Sequence, residues 1–312
     1  MKSEKINRIS PSVTIEITTI AKELKRQGKD VVLLAAGEPD FPSPDHVKTG
    51  AIKAIENNFT TYTETAGIPE LKEAICKKFF RDNGLSYKSE EIMVNCGSKH
   101  AIYLALQCLL SHGDKVLMSL PCWNSYIEQV KLAEGEPLLI NSREDMSLDI
   151  DKLKDSVTDE VKVLLLNSPC NPTGHVFTEK ELKAIGEIAL IHKDLFIVSD
   201  EVYEYFVYEG KHVSLTKIFP ELKNRTVIVN SVSKSYSMPG WRIGYAAGPK
   251  ALISAMTALQ DHITSNPSSI SQIAALKAIG GEQSCVKHMF HEFSKRRDFV
   301  IDKLNKLPMI TC

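Results

Sequence analysis

Residues 228–248, IVNSVSKSYSMPGWRIGYAAG, place Lys234 among hydroxyl side chains just after an apolar run, with Arg242 a short turn away. A surface lysine is normally solvated and protonated. A lysine that acts as a nucleophile needs its pKa lowered, by desolvation or by a neighbouring cation. Arg242 supplies that cation if the chain doubles back through SMPGWR. Three other segments also bring polar residues directly after apolar runs. NCGSKHA carries Gly97, Ser98 and Lys99, NSPCNPTG carries Asn171, and SDEVYEY carries Asp200 and Tyr203.

These segments share one kind of frame. From about residue 90 the chain alternates short apolar runs with longer amphipathic ones. That pattern predicts an α/β fold, a mainly parallel seven-stranded sheet flanked by helices. The predicted strands are EIMVN, DKVLMSL, EPLLI, VKVLLLN, DLFIVSD, TVIVNS and RIGYAA. Thr178 and Glu181 form a candidate capping box for the helix that follows. Pro69 suits a first helical turn with Gly84 as terminator, and residues 12–28 read as a helix ending at Gly28. In open parallel sheets ligands bind beyond the carboxyl ends of the strands. The polar segments would therefore meet on one rim.

Each segment also has a plain structural reading. Asn-Pro-Thr-Gly is turn chemistry, and Asp200 suits a cap after its strand. Gly97-Ser98 suits a simple helix start, although such a terminus also offers N–H groups to an anion. Trp123 suits a core or an interface, and Arg242 a surface ion pair. Taken together, an amine, an acid, a phenol, a carboxamide and an arginine fork match the needs of pyridoxal phosphate. The lysine would hold the aldehyde, the acid would pair with the ring nitrogen, and the arginine would hold the phosphate.

Composition narrows the alternatives. The 312 residues are 43% hydrophobic and 25% charged with a formal net charge of −1, which gives no electrostatic reason to expect nucleic acid or an anionic membrane as partner. The longest apolar runs are too short for a bilayer span, and the polar start lacks a signal-peptide core, so a cytoplasmic protein is expected. The seven cysteines show no CxxC and read as small buried hydrophobes in a reducing compartment. Nicotinamide dehydrogenases need a Gly-x-Gly that is absent here, and HMFH at 288–291 reads as helix surface, so no metal is expected. Ser231-Val-Ser-Lys234 matches Ser-x-x-Lys, but Lys-Thr-Gly precedes it and no Ser-Asp-Asn occurs.

The motifs SVSKSYSMPGWRIGY, NSPCNPTG, VSDEVYEYFVYEG and TYTETAGIPELKEAI resemble those of fold-type I pyridoxal-phosphate aminotransferases, class I, in the bacterial aspartate aminotransferase branch. The resemblance runs from LLAAGEPDFPSP to the end of the chain. It implies Lys234 as the cofactor-bearing lysine and proton shuttle, and Asp200 as partner of the ring nitrogen. Tyr203 and Asn171 would bond the ring oxygen, with Trp123 stacked on the ring. Gly97, Ser98, Lys99, Ser231 and Arg242 would hold the phosphate. Gly37 would approach the substrate carboxylate, and Lys99 would contact a side-chain carboxylate. It further implies a homodimer in which Tyr62 reaches the neighbouring subunit's phosphate. The expected reaction is ping-pong transamination between L-aspartate and 2-oxoglutarate. Aromatic, alanine or prephenate aminotransferases, a C–S lyase or a 1-aminocyclopropane-carboxylate synthase of the same fold, and a cofactor-binding effector domain remain alternatives.

Three divisions are expected: residues 1–45 as the N-terminal segment of a small domain, 46–284 as a large cofactor-binding domain, and 285–312 as the start of the C-terminal small domain. The resemblance also implies a substrate-carboxylate arginine beyond position 312, so the C-terminal part of the small domain is expected to be missing from this sequence. The last stretch is expected to be a helix followed by the start of a strand.

Overall fold

The computed structural model describes residues 3–11, 13–34 and 37–310. All seven apolar runs form strands: β1 (Ile92–Asn95), β2 (Lys115–Leu120), β3 (Glu136–Asn141), β4 (Val161–Asn167), β5 (Phe196–Asp200), β6 (Thr226–Ser231) and β7 (Gly244–Ala247). They make one sheet in the order β1-β7-β6-β5-β4-β2-β3. Strand β7 runs antiparallel to both its neighbours, while β2 to β6 pair in parallel.

Helices cover both faces, which is why the inner strands are apolar along their whole length rather than alternating. Ile92, Val94, Ile228 and Tyr245 point into a core with helices Asp45–Glu56, Pro69–Lys78 and Ser269–Gly280. Met93, Val163, Val198, Val227 and Val229 point the other way, against helices Ser98–Leu109, Asn124–Leu132 and Lys250–Ile263. A third cluster packs Leu164, Leu166 and Ile197 against helix Glu179–Ile191. Neighbouring residues of a strand thus serve opposite cores, as the two-residue period requires.

The local signals act as written. Thr178 Oγ1 accepts from Glu181 N, and Glu181 closes the capping box by accepting from Thr178 N. The helix opened by Pro69 passes into a π turn over Phe79–Asn83 and stops at Gly84, whose φ of 64° is left-handed. The helix Val13–Arg26 ends before Gly28, at φ 79°.

Two expectations need correction. The six described cysteines are free and half-buried rather than buried: Cys76, Cys108 and Cys285 lie on helices, and Cys96, Cys122 and Cys170 just past strand ends. The last stretch forms the long helix Ser284–Leu304 and then turns, without a strand through residue 310. Residues 311 and 312, where that strand was expected to continue, lie outside the described residues, as do 35 and 36 of the AAGEPD segment. His288 and His291 are exposed on the same helix.

Candidate active site

Strand register sets the rim. Asn95 and Ser231 both pair with Gly244, and Asn167 pairs with Asp200. The carboxyl ends of β1, β4, β5 and β6 therefore stand in a row, together with the amino end of β7 that follows Arg242. The segments after those ends carry the predicted residues.

Lys234 lies in the helical turn Val232–Ser235 that follows β6. The Ser231 hydroxyl caps this turn by accepting from Ser233 N at 3.2 Å. Lys234 Nζ donates to the Gly37 carbonyl at 2.6 Å and lies 5.9 Å from the centre of the Tyr203 ring. Burial lowers the amine's pKa and the Arg242 charge lowers it further, while Glu38 pulls the other way. This is the environment a reactive lysine requires.

Asp200 ends β5 and is buried. Tyr126 Oη donates to its Oδ2 at 2.7 Å, and Val202 N donates to Oδ1 at 3.2 Å. Burial pushes the carboxyl up to about 6, the Glu201 charge adds to that, and these two hydrogen bonds oppose it. Tyr203, in the turn just beyond, is pushed up to about 12 by burial and by Asp200, against a hydrogen bond with Asn171 that favours the phenolate. Asn171 is placed by Asn167, whose Oδ1 accepts from Asn171 N at 2.8 Å while its Nδ2 donates to the Asp200 carbonyl at 3.1 Å.

At the far side, Gly97 precedes helix Ser98–Leu109 with φ 92° and offers no side-chain cap. A Cβ on Gly97 would lie 2.4 Å from Arg242 Nη2, and one on Gly244 would lie 2.3 Å from Ser98 N. Both glycines are thus required for the helix start and the arginine to come together. Arg242 itself is left-handed, at φ 56°, and donates to the carbonyls of Pro239 at 2.9 Å and Cys96 at 3.3 Å. Backbone N–H groups at a helix start beside a guanidinium form a cradle suited to a phosphate.

Lys99 is exposed, and its ammonium lies 4.6 Å from the centre of the Trp123 ring. Desolvation at that position and the charge of Arg242 lower its pKa. Trp123 in turn meets Tyr126 edge to face, with ring centres 5.3 Å apart.

The structure therefore brings Gly37, Gly97, Ser98, Lys99, Trp123, Asn171, Asp200, Tyr203, Ser231, Lys234 and Arg242 to one rim. Tyr62 is not among them. It is 89% exposed. Sequence reasoning missed Tyr126, Asn167 and Glu38. Tyr126 had a faint signal, three positions after Trp123 at a helix start, but nothing in the sequence ties its hydroxyl to residue 200.

The family model for aminotransferase class I and II matches residues 29–312. The aspartate aminotransferase of Geobacillus stearothermophilus is 50% identical over 99% of this chain and 79% of its own. Among solved structures, the aspartate aminotransferase from Rhizobium meliloti superposes with a TM-score of 0.94 at 42% identity, covering 98% of this chain and 78% of that one. That from Thermus thermophilus with maleate has a TM-score of 0.94 at 39% identity, covering 98% and 80%. With the sheet order, the rim and these likenesses in agreement, the chain belongs to the class I and II aminotransferases and is an aminotransferase enzyme.

Proposed function

We propose that the rim holds pyridoxal phosphate and that the enzyme exchanges amino groups between L-aspartate and 2-oxoglutarate. The observation that carries this reading is Lys234, a lysine with a depressed pKa between a buried carboxylate–phenol pair on one side and the Gly97–Arg242 cradle on the other. The donor set fits the cofactor at each end. Asp200, held against burial by Tyr126, would pair with the ring nitrogen. Tyr203 and Asn171 would bond the ring oxygen, with Trp123 over the ring face. Ser98 and Lys99 N–H groups, Ser231 and Arg242 would take the phosphate.

Bound there, pyridoxal phosphate supplies an aldehyde for the amino group and a protonated ring that accepts the electron pair freed from Cα. The protein does the rest. Lys234 Nζ would take the Cα proton of the amino acid and deliver it to C4′ of the cofactor. The lysine's lowered pKa makes the neutral, proton-accepting form easier to reach than in a solvated lysine. Asp200 in its ionised form would hold the ring proton in place.

For the substrate, Lys99 beside Trp123 would bond a side-chain carboxylate, and Gly37 would lie next to the α-carboxylate. The Thermus relative's partner, maleate, is a four-carbon dicarboxylate of aspartate-like length. We place residues 1–45 and 285–312 in a small domain and 46–284 in the large one. We assign the chain to a cytoplasmic homodimer in which exposed Tyr62 reaches the partner's phosphate site. No helix among the described residues is long and apolar enough to cross a membrane.

The test is the near-ultraviolet and visible spectrum of the purified chain with pyridoxal phosphate, before and after L-aspartate. A yellow band that is absent in Lys234→Ala and bleaches with aspartate supports both cofactor and substrate. A band that aspartate cannot bleach rejects the aspartate transaminase reading, and release of pyruvate and ammonia from a substrate with a sulfur leaving group on Cβ would mark a C–S lyase instead. No band in a folded protein rejects the cofactor assignment.

A further inference from the structure

Behind the turn that carries Tyr203 lies a group of charged side chains that none of these roles uses. Lys78 and Glu204 form an ion pair with side-chain exposures of 1% and 4%. Glu204 Oε1 also accepts from Asn230 Nδ2 at 2.7 Å, and Oε2 accepts from Asn83 Nδ2 at 2.7 Å. Lys78 Nζ donates in addition to Asn83 Oδ1 at 2.9 Å. Asn230 extends the chain of bonds, accepting from Ser231 N at 2.7 Å and donating to the Glu201 carbonyl at 3.2 Å.

Stability by itself is a weak reason for this group. An apolar pair of similar volume is often as stable as a buried ion pair, or more so, because two charges no longer need desolvating. Nor is it a vacant cation site. Glu201, Glu204 and His212 offer ligand atoms within 4.8 Å of one another, but His212 Nε2 already bonds Glu201 at 2.9 Å and Lys78 neutralises Glu204.

What the group does share is position. Glu204 follows Tyr203 in the turn after β5, and Asn230 precedes Ser231 at the end of β6. One carboxylate thus ties the phenol's turn, the end of β6 and helix Pro69–Lys78 to a common point. We propose that Lys78, Glu204 and Asn230 form a strut that fixes the separation of Tyr203 and Ser231, the ring end and the phosphate end of the cofactor site. The proposal rests on the pyridoxal-phosphate reading above. All three are positioning residues, acting through Tyr203 and Ser231.

The test uses the double variant Lys78→Met/Glu204→Leu, which removes both charges together, and Asn230→Ala, which keeps the ion pair and cuts its link to Ser231. Three quantities are measured: the melting temperature of cofactor-free protein, the Kd for pyridoxal phosphate from tryptophan quenching, and the pH midpoint of the bound cofactor's visible band. The double variant is expected to fold with a somewhat lower melting temperature, because Asn83 and Asn230 lose bonds to the pair. Both variants are expected to bind the cofactor about tenfold more weakly. The midpoint should move in the direction produced by Tyr203→Phe. A folded variant of either kind with wild-type Kd and midpoint overturns the strut. Should the double variant fail to fold, Asn230→Ala decides alone. Wild-type protein that binds no pyridoxal phosphate overturns the underlying reading instead, and the strut with it.

Discussion

Tyr126 Oη donates to Asp200 Oδ2 at 2.7 Å, joining the first turn of a helix after β2 to the last residue of β5. The bond keeps a fully buried carboxylate from rising further than about 6. The acid's second oxygen accepts from Val202 N, at the start of the turn that carries Tyr203.

Asp200 should make the cofactor-free enzyme less stable at neutral pH. Its folded pKa of about 6 lies above the ordinary 3.8, so the folded state binds this proton more tightly than the unfolded chain does. The stabilisation is fully present below about pH 4 and is lost as pH rises through about 6. At about 1.4 kcal/mol per pKa unit this amounts to roughly 2–3 kcal/mol. Asp200→Asn is therefore expected to raise the melting temperature of cofactor-free protein at about pH 8 and leave it little changed near pH 4. The same variant should bind pyridoxal phosphate more weakly. A melting temperature that responds equally at both pH values would reject the assignment.

Arg242 should tune Lys234 as well as hold phosphate. Its charge lowers the lysine's pKa, so Arg242→Gln is expected to raise it. Pyridoxal, which lacks the phosphate, separates the two roles. Its rate of reaction with Lys234 near neutral pH should fall in Arg242→Gln, and the deficit should vanish at alkaline pH. A rate unchanged at every pH would leave Arg242 with the phosphate role alone.

Lys99→Ala should discriminate between substrates. A hydrogen bond to a charged group is worth about 1.5–3 kcal/mol, or roughly 10- to 100-fold. The Michaelis constant for aspartate is expected to rise by that factor, with little change for an apolar amino acid. Equal increases for both would remove Lys99 from substrate recognition.

Gly97→Ala should damage the cradle without unfolding the protein. The added Cβ would lie 2.4 Å from Arg242 Nη2, on a backbone at φ 92°. With ψ at 160° this is a region that glycine alone adopts readily, so the strain is about 1–3 kcal/mol, within the stability of a typical domain. Affinity for inorganic phosphate and for pyridoxal phosphate should both fall, while circular dichroism stays that of wild type. Retained phosphate affinity would show that the arginine does not need this approach.

Much of the architecture was written in local pattern. Seven apolar runs became seven strands: six are buried over at least half their length because helices cover both faces, while β3 at the sheet edge is largely exposed. Thr178 with Glu181, Pro69 and Gly84 acted through bonds that span a few residues, so neighbouring sequence sufficed. The rim itself followed from one topological rule applied to polar residues at strand ends. The cysteines escaped this logic. Their apolar neighbours suggested burial, but exposure at a strand end depends on what the rest of the fold leaves open.

By itself the sequence determined the kinds of group available, their order along the chain, and the strands and turns that carry them. The tertiary structure alone decided which distant groups meet. It paired Tyr126 with Asp200, set Glu38 and Arg242 against Lys234, and joined Lys78 to Glu204 behind Tyr203. Those contacts depend on strand order and on how far each helix end advances over the sheet. Both are set by packing the whole core, and no short stretch of residues encodes them.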